Sequence, residues 1–81
     1  MNKDANNADF LLIERVLNGE DSAFSELVQK YQDKVFNICY RFLMQYEEAN
    51  DCAQDVFVKV YRSLKTFKYQ SSFATWIYIV T

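Results

Sequence analysis

The chain reads as an all-α protein, a small helical bundle of about four helices with a long antiparallel helix pair as its centre. Three observations predict this. Apolar residues recur at gaps of three and four from Phe24 to Leu43. The stretch from Ala49 to Leu64 keeps a stripe whose gaps alternate three and one. Only a brief interruption at Gln45-Tyr46 separates these runs, so the two helices pack as antiparallel neighbours. Eighty-one residues make one domain, and with 51% of them hydrophobic the chain can fill a core.

Met1 to Ala8 is polar, contains three asparagines and shows no periodicity, so residues 1–8 are expected to form a flexible N-terminus and residues 9–81 the folded domain. Asp9 is a candidate cap for a short first helix carrying Phe10, Ile13, Val16 and Leu17, which Gly19 stops. Asp21 and Ser22 can cap the second helix, whose apolar set is Phe24, Leu27, Val28, Tyr31, Val35, Ile38, Cys39, Phe42 and Leu43. The third helix buries Ala49, Cys52, Ala53, Val56, Phe57, Val60, Tyr61 and Leu64. Thr66 to Ser72 breaks the period and reads as a polar loop. Ser71 or Ser72 then caps a final helix from Phe73 to Thr81. The β-branched and aromatic residues of that segment also suit a strand, but one strand would have no partner. Its apolar end without a C-cap is expected to belong to a longer protein, truncated here within its last helix.

Charge is divided along the chain. All eleven acids lie at or before Asp55, so residues 1–58 hold five cations against eleven acids, while residues 59–81 carry Lys59, Arg62, Lys65 and Lys68 without a carboxylate. Six aromatics share that basic segment: Tyr61, Phe67, Tyr69, Phe73, Trp76 and Tyr78. Cations interleaved with rings can follow a phosphate backbone while the rings stack on unpaired bases. The alternative is that the cations suit a helix C-terminus and the rings fill the core.

Several function classes find no support. With no histidine, and with Cys39 and Cys52 in helix-like apolar positions, neither a zinc site nor a disulfide framework is indicated, and no cofactor is expected. No apolar run reaches the ~18–20 residues needed to cross a bilayer, and the start lacks the order of a signal peptide, so a cytoplasmic protein without a membrane partner is expected. The single glycine rules out a glycine-rich phosphate cradle. Carboxylate pairs such as Glu47/Glu48 and Asp51/Asp55 read as solvated helix faces, so no enzyme and no small-molecule substrate are predicted.

Opposite its apolar stripe, the third helix presents Asp51, Gln54, Asp55 and Val58 on one outward surface. Acids and an amide around an apolar centre suit a basic partner helix, with charge steering approach and Val58 supplying desolvated contact. A plain solvated face is the other reading.

Asp51-Cys52-Ala53-Gln54-Asp55, then Phe57, Tyr61, Phe67 and Ser72-Phe73-Ala74-Thr75-Trp76-Ile77-Tyr78, resembles region 2 of a bacterial RNA polymerase sigma factor of the extracytoplasmic-function (ECF) subgroup. The Ala23-Phe24 to Tyr31 and Val35 to Tyr40 stretches resemble the same domain's earlier helices. The resemblance implies a transcription initiation factor that binds core RNA polymerase and recognises and melts the promoter minus-ten element. In that family the D-x-x-Q-[ED] helix binds a coiled coil of the polymerase's largest catalytic subunit, which implies Asp51, Gln54 and Asp55 as contacts; Val58 is added from its position on the same face. The next segment, Phe67 to Trp76, is implied to help open promoter DNA and to hold a flipped base of the non-template strand. There Ser71 and Ser72 would meet a base edge, Phe73 or Trp76 would stack or wedge, Phe67 and Tyr69 would offer further rings, and Lys65 and Lys68 would hold phosphates. The subgroup also implies a sequestering anti-sigma protein as a partner.

Two departures qualify the likeness. Trp76-Ile77 and Gln70 stand where primary sigma factors carry paired tryptophans and extra aromatics, and Ile79 stands where the subgroup often has arginine. Melting should therefore depend on one captured base more than on many rings. A non-catalytic helical adaptor, using the acidic face and a wholly buried aromatic set, is the main rival. A helix-turn-helix repressor ranks below it, because the loop before Phe73 is long for such a turn.

Overall fold

The computed structural model describes the backbone of residues 3–81 and the side chains from residue 7 onward. Four α-helices follow in order: α1 (Lys3–Leu17), α2 (Asp21–Leu43), α3 (Tyr46–Ser63) and α4 (Phe73–Val80), with a 3-10 turn at Leu64–Thr66. At ~1.5 Å per residue the 23 residues of α2 span roughly 34 Å, matching the longest dimension of the molecule, 35 Å.

Each boundary has a local cause. Gly19 adopts φ 97° and closes α1 by donating its N–H to the Val16 carbonyl, while the Glu20 N–H reaches the Arg15 carbonyl, both at 2.9 Å. The second helix ends with Met44 in the left-handed region at φ 57°, its N–H bound to the Tyr40 carbonyl at 2.8 Å. Gln45 caps α3 by accepting the Glu48 N–H at 3.0 Å, and Glu47 and Glu48 complement the dipole of its first turn. Tyr46 therefore belongs to α3, and the break falls at Met44-Gln45, one residue earlier than the periodicity suggests.

The central pair is antiparallel, as its ring contacts demonstrate. Phe36 of α2 meets Tyr46 at the start of α3 with ring centroids 5.1 Å apart, and Phe24 near the start of α2 meets Tyr61 near the end of α3 at 4.9 Å. Between them, Ala49, Ala53, Val56 and Val60 of α3 and Leu27, Tyr31, Val35 and Cys39 of α2 join one core with Ile13, Val16, Leu64, Phe67, Phe73 and Ile77. Cys39 and Cys52 are free thiols. Burial beside Cys52 pushes the Cys39 thiol from 9.0 up to about 11, helped by a hydrogen bond between the two.

Several expectations give way to tertiary packing. Asp9 is not a cap. It lies inside α1, is 1% exposed, and accepts hydrogen bonds from the Tyr31 hydroxyl and from the Lys30 ammonium, the latter at 2.6 Å. A short acid before an apolar run looks like a cap, but this one tethers α1 to α2. The helix already runs from Lys3, so residues 3–8 are helical; the frayed end expected at Met1 and Asn2 lies outside the described residues. Glu20, not Asp21 or Ser22, stands at the N-cap of α2, and its side chain accepts from Arg15 at 2.6 Å instead of capping. Phe42 and Leu17, counted in apolar faces, are exposed, each in the last turn of its helix, with Leu17 on the edge of a shallow groove beside Tyr61 and Leu64. Tyr61 is half exposed, with its hydroxyl 3.4 Å from the Asp21 carboxylate.

Removing the phenol oxygen with Tyr31→Phe leaves the buried Asp9 carboxylate short of one partner and should cost about 1–3 kcal/mol in urea unfolding. Alkaline stability follows from the same core. The Cys39 and Tyr31 protons are held more tightly in the folded than in the unfolded state, so between about pH 9 and 11 the unfolded chain loses protons first. Stability should fall across that window, and Cys39→Ser should flatten the early part of the decline measured by denaturant titration at each pH.

Candidate functional site

Two surfaces gather the residues that carry chemistry. The first is the outward side of α3, where Asp51, Gln54, Asp55 and Val58 are all exposed. Gln54 stands on the rim of a cleft of about 470 Å³ between α2 and α3, whose lining includes Gln32, Asp33, Phe36 and Tyr46. Val58 opens onto a separate apolar groove of about 250 Å³ formed with Phe24, Phe57, Tyr61 and Arg62. The helix thus offers a polar, acidic end and an apolar end, and Phe57 walls both clefts. Sequence reasoning placed Phe57 in the core and missed the contribution of α2. The signal was its position as the outer member of the Val56-Phe57 pair, at the edge of the buried stripe.

The second surface is the bend between the 3-10 turn and α4. Thr66, Phe67, Lys68, Gln70, Ser71 and Trp76 line a cleft of about 230 Å³. That is below the ~300–1,000 Å³ typical of small-molecule pockets and on the scale of one flat ring system. The Thr66 hydroxyl donates to the Ser63 carbonyl at 2.6 Å, and the Ser71 hydroxyl donates to the Ser72 carbonyl at 3.3 Å. Phe67 is buried as the floor, while Trp76, half-buried, has its centroid 5.3 Å from that of Phe67. Lys68 is exposed at the rim.

Of the predicted nucleic-acid residues, the structure therefore brings Phe67, Lys68, Ser71 and Trp76 together and adds Thr66 and Gln70. Others take different places. Phe73 is 1% exposed, its ring packed between Tyr31 at 5.4 Å and Trp76 at 5.8 Å, so it supports the cleft from below and has no free face for a base. Ser72 is committed to its helix: its hydroxyl oxygen accepts the Thr75 N–H at 3.1 Å and its proton goes to the Thr75 hydroxyl at 2.8 Å. It caps α4, as the sequence predicted, but has no donor to spare for a base edge. Lys65 is exposed on another side, beside Val16, Leu17, Tyr61 and Arg62. Tyr69, at φ 62°, lies over Phe67 with centroids 4.9 Å apart, and partial burial together with the Glu14 carboxylate raises its pKa.

With both surfaces defined, similarity to known proteins becomes decisive. Residues 27–81 match the Sigma-70 region 2 family. The chain belongs to that family. This region 2 domain is 46% identical over 70 residues to the RNA polymerase sigma-H factor of Pseudomonas aeruginosa, covering 86% of this chain and 36% of that protein. It is 38% identical over 66 residues to the ECF RNA polymerase sigma factor SigW of Bacillus subtilis, covering 82% and 35%. The chain thus spans about a third of the length of these curated relatives. An engineered region 2 of sigmaE, solved by NMR in complex with GTAAAA, superposes with a TM-score of 0.82 at 38% identity, covering 89% of this chain and 75% of that one. The domain is accordingly of the ECF type, as the motifs implied, and its all-helical bundle is the region 2 fold. Among the described residues, no helix is long and apolar enough to cross a membrane.

The cap that starts α4 also sets the far wall of the cleft. Ser72→Ala should cost about 0.5–2 kcal/mol, read as a lower urea midpoint, and should speed amide exchange in Thr75 and Trp76 ahead of the α3 amides.

Proposed function

We propose that this domain serves transcription initiation by docking on core RNA polymerase through α3 and holding the melted non-template strand of the promoter minus-ten element at the cleft before α4. It performs no catalysis itself. The observation that carries the reading is the cleft at Phe67, Lys68, Gln70, Ser71 and Trp76, which combines a ring wall, polar groups and a rim cation within a region 2 fold. Its size suits one unstacked base, and the likeness to a region 2 solved with GTAAAA supports the same chemistry. Trp76 offers the stacking face, Gln70 offers its amide and Ser71 its hydroxyl oxygen as an acceptor to a base edge, and Lys68 offers a contact to phosphate, with the exposed Lys65 available to the backbone farther along.

Docking needs a partner whose charge complements Asp51 and Asp55. Those carboxylates and the Gln54 amide are exposed on one side of a well-packed helix, which favours a basic helical surface such as the coiled coil of the largest catalytic subunit. Val58, flanked by Phe24 and Tyr61, supplies the apolar contact that charge alone lacks. A sequestering anti-sigma protein would compete by covering either surface. Opening the duplex costs a few kcal/mol per unstacked step, so captured bases and polymerase contacts must act together.

The two roles separate by mutation. Asp55→Arg should weaken retention on immobilised core polymerase by on the order of tenfold while leaving binding to a GTAAAA single strand intact. Trp76→Ala should do the reverse, losing about 1–3 kcal/mol of single-strand affinity. Lys68→Ala should lower the slope of log affinity against log salt by ~0.7. If Asp55→Arg is retained like wild type, the docking face is wrong; if Trp76→Ala binds the strand like wild type, the cleft is wrong.

A further inference from the structure

Helix α1 precedes the segment that matches the family, yet its Phe10 side chain reaches Phe67, which floors the proposed base cleft, and Tyr69 in the loop that forms it. Phe10 is half-buried and lies edge-on against the Tyr69 ring, with centroids 5.0 Å apart and planes at 85°; its centroid is 5.8 Å from that of Phe67. Tyr69 has φ 62°, in a region that bulky residues enter only when their surroundings hold them there. Phe10 and Phe67 are the rings that hold it. The helix itself is fixed in rotation, because the neighbouring Asp9 is bonded to Lys30 and Tyr31 and because Ile13 and Val16 enter the core. Tyr31 in turn lies edge-on to Phe73 beneath Trp76.

We propose that α1 is a positioning element for base capture, with Phe10 bracing Tyr69 and Phe67 so that the loop holds its cleft-forming conformation before nucleic acid arrives. The proposal rests on the nucleic-acid reading above. Phe10 touches no base; it acts by setting the loop that carries Lys68, Gln70 and Ser71. Losing the ring lets Tyr69 relax from its left-handed backbone, and binding must then include the cost of reordering the loop.

The test uses residues 1–81 as wild type, Phe10→Leu, Phe10→Ala and Phe10→Tyr, titrated with the single-stranded oligonucleotide GTAAAA and followed by amide NMR at a temperature where each is fully folded. Phe10→Leu keeps an apolar side chain in the helix but removes the ring contact, so it isolates positioning from folding. It should bind roughly three- to tenfold more weakly than wild type, as should Phe10→Ala, whereas Phe10→Tyr, which keeps the ring, should bind like wild type. Amide shifts of residues 67–72 should move in Phe10→Leu before any oligonucleotide is added, while those of Asp51, Gln54 and Asp55 stay in place. Leu and Ala variants that bind like wild type, whatever their thermal stability, would overturn the positioning role alone. Failure of the wild type to bind would overturn the nucleic-acid reading and this proposal with it.

Discussion

The seam between α2 and α3 is the constraint on which the rest depends. Ala49 and Ala53 are buried and carry the smallest side chains of the α3 stripe, so the two helices pack closely while Val56 and Val60 fill the space farther along. Ring pairs at both ends fix the register. Once that stripe faces inward, helical periodicity leaves Asp51, Gln54, Asp55 and Val58 facing outward. The same helix runs directly into the 3-10 turn and the bend before α4, so the acidic face and the proposed base cleft are held on one body. A change that shifts the seam moves both surfaces together, whereas a change on either surface leaves the other in place.

What the sequence made legible is what depends on near neighbours. The spacing of apolar residues gave α2 and α3, Gly19 marked a stop because only its conformation closes that helix cheaply, and Ser72 announced α4. The outward α3 face followed from periodicity alone. The misreadings of Asp9 and Phe73 share one cause, which is distance along the chain, whereas that of Ser72 is local. Asp9 looks like a cap until Lys30 and Tyr31, 21 and 22 residues away, are brought against it. Phe73 looks available to a base until Tyr31 closes over it, and the Ser72 hydroxyl looks free until Thr75 engages it from within its own helix turn. Phe10 carried no functional signal at all, because its partners, Phe67 and Tyr69, lie at the other end of the chain.

The division of charge acquires a spatial meaning in the fold. Asp9 is neutralised internally by Lys30, and Arg15 of α1 pairs with Glu20 at 2.6 Å and Glu26 at 3.6 Å, which leaves Glu14 as the α1 carboxylate felt by Tyr69 in the loop. Lys65 and Lys68 enter no salt bridge among the described residues and leave that end cationic. Exposed charges are screened over ~8 Å at physiological salt, while α3 runs roughly 18 Å from Asp51 to its end at Ser63. The acidic surface near Asp51 therefore scarcely weakens attraction of phosphate at Lys68. A chain with a small net negative charge can in this way keep an acidic face and a cationic end apart.

The aromatic residues that seemed at first to be one nucleic-acid signal divide into a visible layer and a hidden one. Trp76 and Tyr69 keep accessible area, whereas Phe67 and Phe73 are buried beneath them and Phe10 braces them from α1. This division is what the proposed single-base site would need. A six-residue segment outside regular structure, Phe67–Ser72, would lose conformational entropy on binding unless something ordered it first. Rings do so efficiently, since each fills a large volume with few rotatable bonds, and five of them in mutual contact leave the loop few alternatives. On the proposed reading the buried phenylalanines are then no less functional than the half-buried tryptophan. They move the cost of ordering from binding into folding, so the weak contacts of one captured base can act on a site that is already formed.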